Sequence, residues 1–143
     1  MADIRKLRKA LRAIEKNPEH HDQGSWCRIP EGDFTAHSRD RRIDVSASNG
    51  KIPPCGTTLC MAGWLAFQGG PKGARLDYAY ITGADGTISF ISDWARDYAG
   101  LTAEQAETMF HCASSARELG DMIDAIAANP AASESDLMTA AGI

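Results

Sequence analysis

Two cysteines at the beginning of an apolar mid-chain segment are the residues best suited to chemistry. Cys55 and Cys60 belong to the stretch Cys55-Gly-Thr-Thr-Leu-Cys-Met-Ala-Gly-Trp-Leu-Ala-Phe67. If Thr57 or Thr58 is the N-cap of a helix, Cys60 lies in its first turn. Unpaired backbone N–H groups and the helix dipole favour a thiolate there and could stabilise an oxyanion. The sequence therefore offers Cys60 as a candidate nucleophile.

A nucleophilic thiol needs a general base, and the candidates lie upstream. His20 and His21 are followed by Asp22, which would orient an imidazole that accepts the thiol proton. The only histidine downstream of Cys60 is His111, which falls inside a predicted helix. A base for Cys60 would therefore come from the segment of residues 20–22.

The segment Asp22-Gln-Gly-Ser-Trp-Cys27, taken with Cys55-Gly-x-x-x-Cys60, resembles the start of the papain-like cysteine proteases. In that family a glutamine contributes to the oxyanion hole and a cysteine opens a buried helix. The resemblance assigns the first role to Gln23 and the second to Cys60. The spacing differs from the papain pattern, whose histidine follows the cysteine on a later strand. A cysteine-dependent hydrolase or transferase is therefore an alternative function.

Zinc binding is a second alternative. The candidate ligands are Cys27, Cys55, Cys60 and Cys112. Structural zinc sites usually contain two tight pairs such as C-x₂-C, whereas four residues separate the closest cysteines here. We expect no cofactor. No apolar signal-peptide region follows Met1, so we expect a cytoplasmic protein with free thiols.

Composition and charge limit the partners. The hydrophobic fraction of 43% and the charged fraction of 24% are typical of a globular protein, and no apolar run approaches a membrane span. A net charge of −4 argues against broad nucleic-acid binding. Residues 93–112 have the outline of a helix-turn-helix, but Glu104 and Glu107 on its second helix would repel phosphates. DNA is therefore a disfavoured partner.

The charge is unevenly distributed along the chain. Residues 1–16 are mostly basic, whereas residues 101–143 contain Arg117 against seven carboxylates. The two regions could pair with each other, or the basic helix could recognise a partner, and the sequence leaves both open. The candidate binding residues are Arg5, Lys6, Arg8, Lys9, Arg12, Arg39, Arg41 and Arg42. The leading hypothesis is a non-catalytic protein that binds a macromolecule, with its oligomeric state undetermined.

Apolar periodicity and turn residues predict the elements that position these side chains. Helices are expected over residues 3–17, 57–68, 92–99, 102–112, 115–128 and 135–141, and a hairpin over residues 76–82 and 87–91. Gly69-Gly70 is the predicted left-handed C-cap of helix 57–68. Residues 28–54 lack periodicity and predict a polar loop insertion. The expected fold is α+β, mainly α: one domain, residues 1–143, around buried helix 57–68, with a hairpin at 76–91.

The motif Cys-Gly-Thr-x-x-Cys-x-Ala-Gly-Trp at residues 55–64 resembles a group of small proteins from actinobacteria and their phages. The other matching residues are Asn17-Pro18, Asp22-Gln23, Trp26, Asp85-Gly86, Ala99-Gly-Leu-Thr102 and Phe110. The resemblance implies a phage or prophage-type accessory protein and adds no mechanism. Taken with the leading hypothesis, it makes a host or phage protein the expected partner.

Overall fold

The structure is a computed structural model that describes residues 1–24, 43–45, 53, 57–113 and 115–143, with the backbone of residues 27–28. The predicted fold class is confirmed, since the described chain is α+β and mainly α-helical. Its helices are α1 (Ile4–Lys16), α2 (Met61–Gly69), α3 (Ile91–Ala99), α4 (Ala103–His111), α5 (Ala116–Ala128) and α6 (Glu134–Ala141), with a 3-10 helix at Pro18–His20. Its strands are β1 (Cys27–Arg28), β2 (Ile43–Asp44), β3 (Thr58–Leu59), β4 (Arg75–Leu76), β5 (Tyr80–Thr82) and β6 (Ile88–Phe90).

Helix α2 lies in the centre of the core because almost all of its side chains are apolar. Every residue from Met61 to Phe67 is buried, and the helix packs against both α1 and α3. Trp64 and Phe67 meet edge to face, with ring centroids 5.8 Å apart. Full burial of side chains of this size contributes on the order of 2–3 kcal/mol each. The prediction of a buried central helix is confirmed.

Both predicted caps of α2 are wrong. Thr58 is extended and pairs with β1, so the helix begins later and Cys60 is its N-cap. The hydroxyls of Thr57 and Thr58 hydrogen-bond to no residue in the described ranges. At the other end Gly70 has φ −58° and is not left-handed.

The predicted hairpin belongs to a larger antiparallel sheet with strand order β2-β4-β5-β6. The strand predicted at 76–82 is divided into β4 and β5 by a turn, in which Asp77 Oδ1 accepts hydrogen bonds from the N–H groups of Ala79 and Tyr80. Leu76 and Ile81 are buried on the core face of the sheet, whereas Tyr80 lies on the outer face.

The predicted loop insertion at residues 28–54 is wrong at residues 43–45. Ile43 and Val45 are buried in the core on either side of the exposed Asp44, and β2 pairs with β4. This alternation is typical of a strand with one buried face. Arg28 also lies in a strand, and most of the remaining insertion falls outside the described residues.

The C-terminal helices follow their predicted bounds closely. Thr102 and Gln105 form a capping box at α4, and Ser115 caps α5. Helix α5 packs against α1 and α6, and α6 also contacts α4. Within the described ranges no helix combines the length and the apolar character that crossing a bilayer requires.

Candidate functional site

The structure places residues 20–23 directly beside the strand that precedes Cys60. His21 forms a parallel bridge with Leu59, and the N–H of Asp22 donates to the carbonyl of Leu59 at 3.0 Å. The segment proposed to supply a base and the segment that carries the thiol are therefore neighbours, although they are far apart in sequence.

The Cys60 thiol is buried and serves as a helix cap. Its Sγ accepts a hydrogen bond from the Gly63 N–H at 3.4 Å, and the residue has no exposed surface. Burial raises the pKa of Cys60 to about 12, which outweighs the lowering effect of the nearby backbone N–H groups; the Asp22 charge raises it further. A thiol with this pKa is protonated at neutral pH. It therefore lacks the thiolate character that nucleophilic catalysis requires.

Both histidines are engaged elsewhere. His20 Nδ1 lies 2.7 Å from the carbonyl oxygen of Thr57, and since a carbonyl only accepts, Nδ1 carries the proton. His21 Nε2 lies 3.1 Å from Oε1 of Gln23 and donates to it for the same reason. Within the described part of the chain, neither imidazole hydrogen-bonds to the Cys60 sulfur. The contacts of His20 and His21 therefore do not favour either residue as a general base.

The backbone carbonyl of His20 also forms a structural hydrogen bond. The indole Nε1–H of Trp64 donates to the His20 carbonyl at 3.1 Å, and this bond is buried. Together with the Nδ1 bond to Thr57, it joins the 3-10 helix both to the residue before β3 and to Trp64 inside α2. His20 is accordingly buried, with 5% of its surface exposed.

Gln23 connects two helix ends. Its Oε1 accepts the N–H of Met61, the first residue of α2, at 2.7 Å. Its Nε2 donates to the carbonyls of Met109 at 3.3 Å and Ala113 at 3.1 Å, at the end of α4 and just beyond it. An oxyanion hole needs an N–H aimed at the reacting oxygen. The amide hydrogens of Gln23 are instead bound by backbone carbonyls, so the geometry supports a structural role.

Two of the four candidate zinc ligands, Cys60 and Cys112, have side chains within the described residues. In the regions that the structure describes, no group of three His, Cys, Asp or Glu side chains is arranged to hold a metal ion. Cys60 and Cys112 are free thiols, the first buried and the second half-buried. Cys55 and the side chain of Cys27 lie outside the described residues. Zinc binding therefore stays a prediction.

The basic residues of α1 form the second candidate site. Leu7, Ala10 and Ile14 are buried and dock the helix on the core. On the opposite side four exposed cations recur at intervals of four, three and four residues: Arg5, Lys9, Arg12 and Lys16. We call these four residues the basic stripe. It extends for about 16 Å at 1.5 Å per residue.

No hydrogen bond or ion pair joins the basic stripe to any other part of the described chain. The two remaining cations of the helix are occupied. Lys6 Nζ lies 4.0 Å from the ring centroid of Tyr98 and donates to its carbonyl at 3.1 Å. Arg8 pairs with Asp124 at 3.3 Å.

Among the basic residues of α1, only Arg8 therefore forms an ion pair with a described residue of the acidic C-terminal third. Sequence spacing places the four stripe residues on one face, but only packing reveals that none of them pairs with another described residue. The candidate binding residues Arg39, Arg41 and Arg42 lie outside the described residues.

Comparison with family models, curated proteins and solved structures finds no match to this chain.

Proposed function

We propose that this chain is a non-catalytic binding protein, and that the basic stripe of α1 recognises an acidic surface on a partner protein. The single observation that carries the proposal is the stripe itself. Four cations line one exposed face of a docked helix, and none of them forms an ion pair with a described residue.

The helix presents these charges in a fixed geometry. It is anchored by its buried apolar face and by Asp3, whose side chain caps the first turn through the Lys6 N–H. A partner would therefore bind a preformed surface without the entropy cost of ordering a flexible segment. This pre-organisation supports a recognition role for the stripe.

Mutual repulsion within the stripe also supports binding to an acidic surface. Arg5 and Lys9, Lys9 and Arg12, and Arg12 and Lys16 are spaced as helix neighbours. Each like-charge pair of this kind costs about 0.2–0.5 kcal/mol. Carboxylates of a partner would relieve that repulsion.

The surroundings favour a protein over a nucleic acid. Asp124 on the adjacent helix α5 pairs with Arg8 yet keeps 72% of its side chain exposed. The stripe is therefore bordered by negative charge, which repels a uniform polyanion such as DNA. An acidic patch on a protein can instead be small enough to contact the stripe without also facing Asp124.

The state of Cys60 supports a non-catalytic role, because a buried thiol with a raised pKa is a poor nucleophile. The resemblance of residues 55–64 to proteins of actinobacteria and their phages supports a host or phage protein as the partner. It also selects an actinobacterial lysate as the source in which to search.

The experiment compares three immobilised full-length baits in that lysate: wild type, Lys9→Glu and Lys72→Glu. Lys72 is exposed, lies outside α1 and has no partner within the described ranges, so its reversal changes the net charge equally. We expect Lys9→Glu to capture about tenfold less of the specific partner and Lys72→Glu to capture as much as wild type. Capture by wild type should fall as salt is added.

Misfolding is excluded by the thermal stability of the same variants. A glutamate at position 9 converts repulsion from Arg5 and Arg12 into attraction, so Lys9→Glu should melt at or above the wild-type temperature. Equal capture by the wild-type and Lys9→Glu baits would contradict the proposal.

A further inference from the structure

The large apolar side chains left exposed by the fold are concentrated on the last two strands of the sheet, β5 and β6, and in the turn before β5. Apart from the two terminal residues, those that the described chain exposes are Tyr78, Tyr80, Ile88 and Phe90. Tyr80 and Phe90 are cross-strand partners whose rings stack at 4.9 Å, and Ile88 is exposed to 63%. Strand β6, which carries Ile88 and Phe90, is the last strand of the sheet.

The backbone of β6 has hydrogen-bonding groups directed away from the sheet. Gly83 N–H donates to Thr87 O, and Ile91 N–H donates to Ala79 O, in the register that places Ile81 opposite Ser89. Antiparallel pairs alternate between bonded and non-bonded, so residues 87, 89 and 91 face β5. The N–H and C=O of residue 88 and the N–H of residue 90 therefore face outward.

This edge is short, at three residues, but it lacks the side chains that usually prevent pairing. Natural edge strands commonly carry lysine, proline or an inward-pointing charge. The segment from Thr87 to Ser92 contains no charged residue and no proline. In the part of the chain that the structure describes, no strand pairs with the outer side of β6.

We propose that two copies of this chain associate through β6, strand to strand and antiparallel, with the two-fold axis at Ile88. In this register Ile88 of each copy donates to and accepts from Ile88 of the other. The four-stranded sheets of the two copies become one continuous sheet. The exposed apolar side chains of both copies then lie side by side on its outer face.

The outward-facing backbone groups select this register. Ile88 directs both its N–H and its C=O outward, so an axis at Ile88 gives a reciprocal pair of hydrogen bonds. Phe90 is the N-cap of α3, where the cap carbonyl accepts the first helical hydrogen bond, so an axis at Phe90 would lack an acceptor.

The available area indicates a weak, concentration-dependent dimer. The exposed portions of the four apolar side chains amount to roughly 450 Å² per copy, against about 800 Å² per partner in a stable interface. We therefore expect a dissociation constant above about 10 µM. The basic stripe lies on α1 and takes no part in this contact, so the association is independent of the proposed function.

The test is sedimentation of the full chain over a wide concentration range. The weight-average mass should rise from 15.4 kDa towards twice that value. Ile88→Lys and Ile88→Glu should each weaken association at least about tenfold, because the axis places position 88 against itself. An equimolar mixture of the two variants should restore it, which misfolded proteins would not do. Thr139→Lys, which adds the same charge at an exposed position of α6 away from the sheet, should associate like wild type.

Amide exchange provides a second readout. The Ile88 N–H should exchange more slowly as concentration rises, whereas the Ser89 N–H, already bonded to β5, should not change. A chain that stays monomeric at every concentration overturns the proposal. The partner of β6 would then be an extended segment of a different protein. Unchanged association of Ile88→Lys, or failure of the mixture to restore it, also overturns the proposal.

Discussion

Replacement of Gln23 by alanine tests whether this residue joins two helix ends rather than supplying an oxyanion donor. The change removes four hydrogen bonds. Gln23 Oε1 accepts from the Met61 N–H and from His21 Nε2, and Gln23 Nε2 donates to the carbonyls of Met109 and Ala113. Three of these partners are buried, Met61 and Met109 completely and Ala113 almost so. Alanine cannot replace any of these bonds.

The magnitude follows from the groups that lose their partner. A buried backbone group left unsatisfied costs about 1–3 kcal/mol. The bond to Met61 is short, whereas the bond to Met109 is long at 3.3 Å, and water reaches the partly exposed side chain of Gln23. We therefore expect Gln23→Ala to lower the free energy of unfolding by about 2–4 kcal/mol, a large part of the 5–15 kcal/mol typical of a domain.

Urea denaturation followed by tryptophan fluorescence and circular dichroism measures this loss. The matched control is Gln68→Ala, because the Gln68 side chain makes no hydrogen bond within the described chain and is also half-buried. Its substitution should change stability by less than about 0.5 kcal/mol. A loss below about 1 kcal/mol for Gln23→Ala, or an equal loss for Gln68→Ala, would refute the reasoning.

Two further predictions concern Cys60. Iodoacetamide at pH 8 should label the half-buried Cys112 in the native protein while Cys60 reacts only after denaturation, as peptide mapping would show; rapid native labelling of Cys60 would be inconsistent with its burial. Because the folded-state pKa of Cys60 is raised from 9.0 to about 12, the unfolded chain loses this proton first, and stability should decline between pH 9 and pH 12 by up to about 1.4 kcal/mol per pH unit. Cys60→Ser keeps an acceptor for the Gly63 N–H and does not titrate in this range, so its stability should decline less; an identical decline in both proteins would contradict the raised pKa.

Much of the helical structure could be predicted from neighbouring residues. The apolar spacing of Leu7, Ala10 and Ile14 indicates both the helix and its buried side, and the Thr102-x-x-Gln105 capping box locates the start of α4. These signals work because a helix is stabilised by contacts three or four residues apart. The predicted start of α2 was wrong because it depends on a contact that is distant in sequence. Pairing of β3 with β1, which involves residues about 30 positions away, keeps Thr58 extended.

The roles of the candidate site residues depend on contacts that are distant in sequence. The sequence identified the right neighbours, since residues 20–23 do lie beside the segment of Cys60. It could not assign their roles. Three of the four partners of Gln23 lie 38, 86 and 90 residues away along the chain, and no local pattern specifies them.

The sequence by itself determined the helical segments, the apolar central helix and the alignment of four cations on one face of α1. Each of these depends only on the order of nearby side chains. Tertiary packing alone decided that the pKa of Cys60 is raised. It also decided that, among the described residues, the basic stripe forms no ion pair and no strand pairs with the outer side of β6. Desolvation, counter-charges and strand partners all come from distant parts of the chain, so they exist only once it has folded.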